Sequence, residues 1–171
     1  MWLFKTLIGL VILSALNLSC GFQPMYGNQK GGEVLKQLAA VDVVAMRGLL
    51  GVEMYNRLLD SLRPGGKAFG PDYQLIVEVA TNRAALITEA DSQVRRFQII
   101  VIANYRLLEI GSDTVLDFGT ARAVTSYNVV ETSNYSSSVA EEEAQLRGVR
   151  EISQQIVTGI SIYFQQLIVG L

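Results

Sequence analysis

The sequence has no histidine and a single cysteine, Cys20, among its 171 residues. Without histidine the chain lacks the commonest general base and the commonest metal ligand of enzymes. It also lacks a glycine-rich loop of the kind that holds nucleotide phosphates, and its serine-rich loops offer no base to activate a nucleophile. The consecutive glutamates at Glu141–Glu143 point in different directions on a helix, so a solvated helix start explains them better than a metal site. These absences argue against an enzyme and predict neither a cofactor nor a metal.

Positive charge is also scarce. The chain has 14 lysines and arginines against 16 aspartates and glutamates, which gives a formal net charge of −2. A general nucleic-acid-binding protein needs a basic face, so we expect no nucleic-acid partner. Since a lone cysteine cannot close a disulfide within the chain, stability must come from core packing. Cys20 is therefore an inert apolar group, a partner for another chain, a reactive thiol or a site of modification.

The first 19 residues have the plan of a secretory signal peptide. Lys5 supplies one positive charge, and an uncharged, mainly apolar stretch follows it from Thr6 to Ser19. A membrane-spanning helix needs about 20 apolar residues, so this stretch is short for a permanent anchor. A membrane helix that stays attached is the alternative. Removal of residues 1–19 leaves 152 residues, which is enough for one domain with a core of its own.

The position of Cys20 directly after this stretch indicates a modification. Ser19–Cys20–Gly21 resembles the lipobox of bacterial lipoproteins, in which the cysteine is acylated and becomes the new N-terminus. Asn17 departs from the leucine usual at its position. Each buried methylene of an acyl chain contributes about 0.8 kcal/mol, so two or more chains give a lasting attachment to the membrane. Gly21 replaces the aspartate that holds enteric lipoproteins at the inner membrane, which favours the outer membrane.

Hydrophobic periodicity predicts the element order β-α-β-β-β-α within a single domain at residues 37–171, preceded by a lipidated tether at residues 20–36. The predicted elements are strand 41–46, helix 50–62, strands 73–89, 97–107 and 115–130, and a long amphipathic helix from 141–143 to about Ile168. The fold is therefore expected to be α+β, with two helices packed on a four-stranded, largely antiparallel sheet. Ile100 and Ile102 are apolar exceptions on the polar face of their strand and indicate a surface that another molecule covers.

The chain as a whole resembles the alphaproteobacterial form of the lipopolysaccharide-assembly lipoprotein family LptE. The residues that carry the resemblance are Cys20–Gly–Phe–Gln–Pro–Met–Tyr26, Arg95–Arg96–Phe97 leading into 103–107, Gly119 through Ser126–Tyr–Asn128, Asn134–Tyr135, Ala140, Ala144 and the closing helix. The resemblance implies a non-catalytic protein on the periplasmic side of the outer membrane. There it would act, one to one, as plug and assembly partner of the β-barrel LptD, which delivers lipopolysaccharide to the outer leaflet. It also implies two helices on a four-stranded sheet, in agreement with the periodicity.

Arg95 and Arg96 are the candidate contacts with lipopolysaccharide. Guanidinium groups bind phosphates and carboxylates through bidentate hydrogen bonds. The resemblance also implies that the family's ligand-contacting basic residues lie near this hairpin. The alternative is a solvated hairpin end in which these arginines pair with Glu89 and Asp91. Two other classes of protein remain open: an outer-membrane lipoprotein that acts as a scaffold without binding lipopolysaccharide, and a lipid-anchored hydrolase, against which the missing histidine counts.

Overall fold

The computed structural model describes residues 29–64, 66, 70–86, 94–112, 114–130 and 134–170. The described residues form three helices and four strands in the order α1 (Gln29–Ala39), β1 (Val41–Val43), α2 (Gly48–Leu62), β2 (Tyr73–Ala85), β3 (Val94–Glu109), β4 (Val115–Val130) and α3 (Asn134–Val169). The predicted α+β fold is confirmed. The predicted signal peptide, Cys20 and the hairpin end with Glu89 and Asp91 lie outside the described residues.

The four strands form one sheet in the order β1-β2-β3-β4. β1 is shorter than predicted and pairs in parallel with the start of β2, Val41 opposite Tyr73. The two long hairpin pairs, β2 with β3 and β3 with β4, are antiparallel, as the alternating pattern and the turns predicted. A register irregularity between Leu107 and Leu108 marks the end of β3 next to the turn into β4.

One helix, α1, was not predicted. It begins at Gln29, and the expected boundary between tether and domain, after residue 36, falls inside it. Val34 and Leu38 are buried in the core, and the Tyr73 hydroxyl donates a hydrogen bond to Gln37 Oε1 over 2.9 Å. The glycine pair 31–32 disfavours a helix by roughly 1 kcal/mol per residue, so the local sequence does not predict α1. Tertiary packing of the apolar face compensates for this poor propensity.

Helix α2 ends where the sequence predicted, just before Pro64. Its apolar face buries Met54, Leu58 and Leu62. The helix is fastened to the first strand by Arg63, whose guanidinium donates hydrogen bonds to the Val41 carbonyl, one of them from Nε over 3.1 Å. Because β1 has only three residues, these contacts with the next helix help to hold it at the sheet edge.

Helix α3 covers the sheet along its length. It buries residues at spacings of three and four, as predicted, namely Ala144, Gly148, Val149, Ile152, Ser153, Ile156, Val157, Ile160, Ser161 and Phe164. Gly148 lies directly over Val101 of β3, where no side chain would fit. A hydrogen bond from Thr125 Oγ1 to the Ala144 carbonyl, 2.8 Å long, fixes the helix against β4. Close backbone approach therefore sets the height of α3 above the sheet.

Candidate docking face and arginine cluster

All buried strand residues of the core on β2, β3 and β4 have odd numbers, so the described helices cover only one face of the sheet. We call the other side the outer face; it consists of the even-numbered residues 74–84, 96–108 and 118–128. Several of its side chains are apolar, and Phe118 is 75% exposed and Val124 41% exposed. Ile100 and Ile102 are half-buried there. The polar strand face predicted from sequence thus carries an apolar surface that no described helix covers.

The strand register gathers these apolar residues into two patches. In the central patch, Ala80 pairs with Ile102, and Ile100 pairs with Val124. In the second patch, Ile76 and Phe118 lie on either side of Arg106, whose guanidinium is 3.7 Å from the Glu78 carboxylate, and the three residues line a depression of about 570 Å³. A polar row, Glu78–Asn104–Thr120, separates the two, and in it Thr120 Oγ1 donates to Asn104 Oδ1 over 2.8 Å. The outer face therefore offers alternating apolar and polar bands.

A cluster of charged and aromatic side chains lies where β2 ends and α3 begins. The Arg83 guanidinium carbon is 4.0 Å from the centroid of the Phe97 ring and 5.7 Å from that of Tyr127. Arg83 Nη1 is 3.5 Å from Glu141 Oε2, and the Tyr127 hydroxyl donates to the same oxygen over 2.6 Å. Burial raises the pKa of Tyr127 to about 12, with further contributions from the hydrogen bond to Glu141 and its negative charge, against the opposing effect of Arg83. Tyr127 is therefore a neutral donor at physiological pH.

The two arginines predicted as ligand contacts lie at this same end, on β3. Arg96 is exposed, and its Nη2 donates a 3.0 Å hydrogen bond to the Ser126 hydroxyl. Arg95 pairs through its backbone with Val129, and its side chain lies outside the described part of the chain, as do Glu89 and Asp91. Among the ion pairs that join described residues, none involves Arg96. The positive charge of Arg96 is thus held beside a neutral hydroxyl.

Sequence reasoning missed two further arginines at this end. Arg83 lies on the core side of β2. The strand alternation could have predicted this position, because Arg83 lies an even number of positions from Val77 and Val79 and so shares their face. Arg147 of α3 donates from Nη2 to the Ser126 carbonyl over 3.1 Å. Its position depends on how α3 crosses β4, which no local pattern encodes. We call Arg83, Arg96 and Arg147 the arginine cluster.

The described residues contain no group of three acidic or cysteine side chains placed to hold a metal ion. No helix in the described ranges has both the length and the apolar composition required to cross a bilayer.

The family model of LptE, described as lipopolysaccharide-assembly, matches residues 35–160. This chain belongs to the LptE family. The matched span begins inside α1 and contains the outer face and the arginine cluster. An uncharacterized protein of Rickettsia prowazekii (strain Madrid E) is 28% identical over 155 residues, covering 91% of this chain and 95% of that protein.

Solved structures share the LptE-like fold of this chain. A candidate lipoprotein of Caulobacter crescentus CB15 aligns with a TM-score of 0.63 at 19% identity, covering 78% of this chain and 96% of that one. A minor lipoprotein of Acinetobacter baumannii aligns with a TM-score of 0.52 at 17% identity, covering 71% and 88%. At these identities the likeness is one of fold, so it supports the arrangement of the sheet and helices in this LptE-family member.

Proposed function

We propose that this LptE-family protein is an outer-membrane lipoprotein that plugs an LptD-type β-barrel, helps it assemble and takes part in lipopolysaccharide transport to the outer leaflet. The observation that carries the proposal is the family match over residues 35–160, which contains an outer face with exposed apolar side chains and without a described covering element. Burial of apolar surface contributes about 25 cal/mol per Å², so such a face favours association with a partner. The role is one of binding and assembly, without catalysis.

Attachment to the membrane is assigned to Cys20. Acylation of this residue after removal of residues 1–19 would hold the domain at the periplasmic side of the outer membrane. Eight residues, 21–28, would then lie between the lipidated Cys20 and Gln29 at the start of α1, a reach of roughly 30 Å when extended. A tether of that length lets the domain enter a barrel in the same membrane. Mass spectrometry of the mature chain tests this assignment, since an unmodified thiol would exclude it.

The outer face is assigned to the barrel. Charge placed in its apolar bands would be buried without a partner in the complex, while the free domain would keep that charge in water. We therefore expect Phe118→Asp and Val124→Asp together to lower the yield of co-purified barrel at least about tenfold, which corresponds to 1.4 kcal/mol. Ile162→Asp is the matched control, because Ile162 is 46% exposed on α3, away from the outer face. Equal yields for both variants would remove the outer face from the interface.

Contact with lipopolysaccharide is assigned to Arg96 together with Arg95. The ligand carries phosphates and carboxylates, and Arg96 has an exposed guanidinium that no described carboxylate neutralises. The Arg95→Ala/Arg96→Ala double variant is expected to weaken lipopolysaccharide binding while the fold stays intact. Arg57→Ala is the control for loss of charge, because Arg57 lies on α2 and pairs with Glu53 over 2.8 Å. Binding that stays unchanged in the double variant would exclude the site.

A scaffold that binds the barrel without touching lipopolysaccharide is the second candidate. The observation in its favour is that the arginine cluster is already engaged: Arg83 faces Glu141, and Arg147 bonds to a backbone carbonyl. The two functions separate in one assay, lipopolysaccharide binding by the free protein. Binding that disappears only in the arginine double variant supports the first; no binding by the unmodified sequence supports the scaffold.

A further inference from the structure

β2 has a long side without a described neighbour. The strand runs for 13 residues, but β1 pairs only with its first part, Tyr73–Leu75. After Val43 the chain leaves the sheet and turns into α2 at Gly48, whose φ of +80° suits glycine. From Val77 onward, no strand among the described residues lies on this side of β2. A long unpaired edge of this kind is a template for another extended chain.

The backbone hydrogen bonds of β2 show which of its groups face this edge. The Val44 N–H donates to the Leu75 carbonyl over 3.0 Å, so odd-numbered residues of β2 direct their backbone groups toward β1. Even-numbered positions face β3, as in the 3.0 Å bond from the Leu86 N–H to the Arg96 carbonyl. The unpaired groups beyond β1 thus belong to Val77, Val79, Thr81 and Arg83. Among the described residues, no backbone or side chain pairs with these groups.

A groove of about 550 Å³ lies beside the near end of this edge. Val77–Val79 form one wall, and Met46–Gly51, with Gln145 of α3, form the rest. The wall opposite the strand includes apolar side chains, of which Leu49 is 58% exposed. The groove lies along the side of β2 with which β1 pairs, so a segment bound there would lie in line with β1. The unpaired ladder selects a polypeptide, since only a backbone supplies donors and acceptors at the spacing of a strand.

We propose that the edge of β2 from Val77 to Arg83 accepts an extended segment of the barrel protein as an added strand in line with β1. This inference rests on the proposed function, which makes an LptD-type barrel the partner. The added segment forms backbone hydrogen bonds with the odd-numbered residues of β2 and places alternate apolar side chains against Leu49 and its neighbours. The edge therefore gives the complex a fixed register, in addition to the non-directional contact of the outer face.

The test compares amide hydrogen exchange in the free full-length protein and in its complex with the barrel. The edge amides of Val77, Val79, Thr81 and Arg83 are expected to exchange rapidly in the free protein and to become protected in the complex. The amide of Glu78, which faces β3, is the internal control and is expected to be protected in both. Protection that grows with the concentration of the free protein alone would assign the edge to a second copy and overturn the proposal.

Proline variants provide the second measurement. Val79→Pro with Thr81→Pro removes two edge N–H groups and leaves the bonds between β2 and β3 in place, because proline is tolerated at an edge. Loss of two hydrogen bonds is expected to weaken the barrel complex about tenfold. Val79→Ala with Thr81→Ala, which keeps both edge N–H groups, is the matched control, and thermal unfolding checks the fold of all variants. Leu49→Asp in the groove wall is expected to weaken the complex without altering any strand.

The outcomes separate this inference from the proposed function. A barrel that co-purifies with the original sequence, while the edge amides keep exchanging and the proline and Leu49→Asp variants assemble normally, overturns the added strand and leaves the proposed function standing. If no barrel co-purifies with the original sequence, the proposed function fails and the inference fails with it. Protection of the edge amides together with weakened assembly of the variants supports the proposal.

Discussion

Gly148→Ala tests the close packing of α3 on the sheet. Gly148 is buried, and an added Cβ would overlap the Cγ2 atom of Val101 and lie 3.8 Å from Cγ2 of Thr125. Alanine is the better helix former by about 1 kcal/mol, so propensity alone predicts stabilisation. Overpacking of a dense core, however, costs about 1–3 kcal/mol. Because Val101 is fully buried and cannot move away freely, we expect the steric effect to dominate.

The expected result is a net loss of up to about 2 kcal/mol in the free energy of unfolding, or a decrease in Tm of up to about 6 °C. Denaturant unfolding of the purified protein measures it. Gly32→Ala is the control, since Gly32 also lies in a helix but has open space where the Cβ would be; it is expected to stabilise by up to about 1 kcal/mol.

A double-mutant cycle gives the sharper test. Val101→Ala removes the methyl group that the new Cβ would meet, so Gly148→Ala should become neutral or stabilising in that background, with a coupling of about 1–3 kcal/mol. If Gly148→Ala stabilises the original sequence as much as Gly32→Ala does, the helix is farther from the sheet than described. Strictly additive effects of the two substitutions would contradict the contact.

Three further predictions concern the core and the arginine cluster. Tyr127 has a pKa of about 12 in the folded protein against about 10 in the unfolded chain, so its contribution to stability is present below pH 10 and is lost as pH rises toward 12. Tyr127→Phe should therefore flatten the fall in the free energy of unfolding between about pH 10 and 12, measured by denaturant titration, and an unchanged fall would refute this reasoning. Arg83→Lys should lose about 0.5–1 kcal/mol because lysine stacks poorly on Phe97, and equal stability by denaturant titration would argue against a cation–π contact. Phe164→Ala should destabilise by about 3–5 kcal/mol while Leu167→Ala, 59% exposed, stays within about 0.5 kcal/mol; similar thermal shifts for both would contradict the described core.

Local periodicity predicted most of the sheet and the long helix. In β3 the predicted alternation leaves the odd-numbered residues for the core, and Ile99, Val101 and Ala103 are buried there because one buried face makes the register unambiguous. The same reasoning placed Ile100 and Ile102 on the other face, where the structure has them half-buried. The alternation of apolar and polar residues along β3 was therefore sufficient to predict two apolar residues of the outer face.

Features that depend on distant contacts were beyond local reasoning. The Tyr105 ring packs over Gly119 of β4, and its nearest atoms are 2.8 Å from where a Cβ on Gly119 would lie. The ring comes from the neighbouring strand, so the sequence around Gly119 does not reveal it. The arginine cluster is a similar case, because Arg83 and Glu141 are brought together only when α3 folds back onto the sheet.

Native mass spectrometry of the protein purified in mild detergent from the membranes of its own cells tests the central claim most directly. We expect one LptD-type barrel bound to one copy of this chain, whose mass includes acyl chains on Cys20 and excludes residues 1–19. A lone chain with no barrel, released intact from the same membranes, would contradict it.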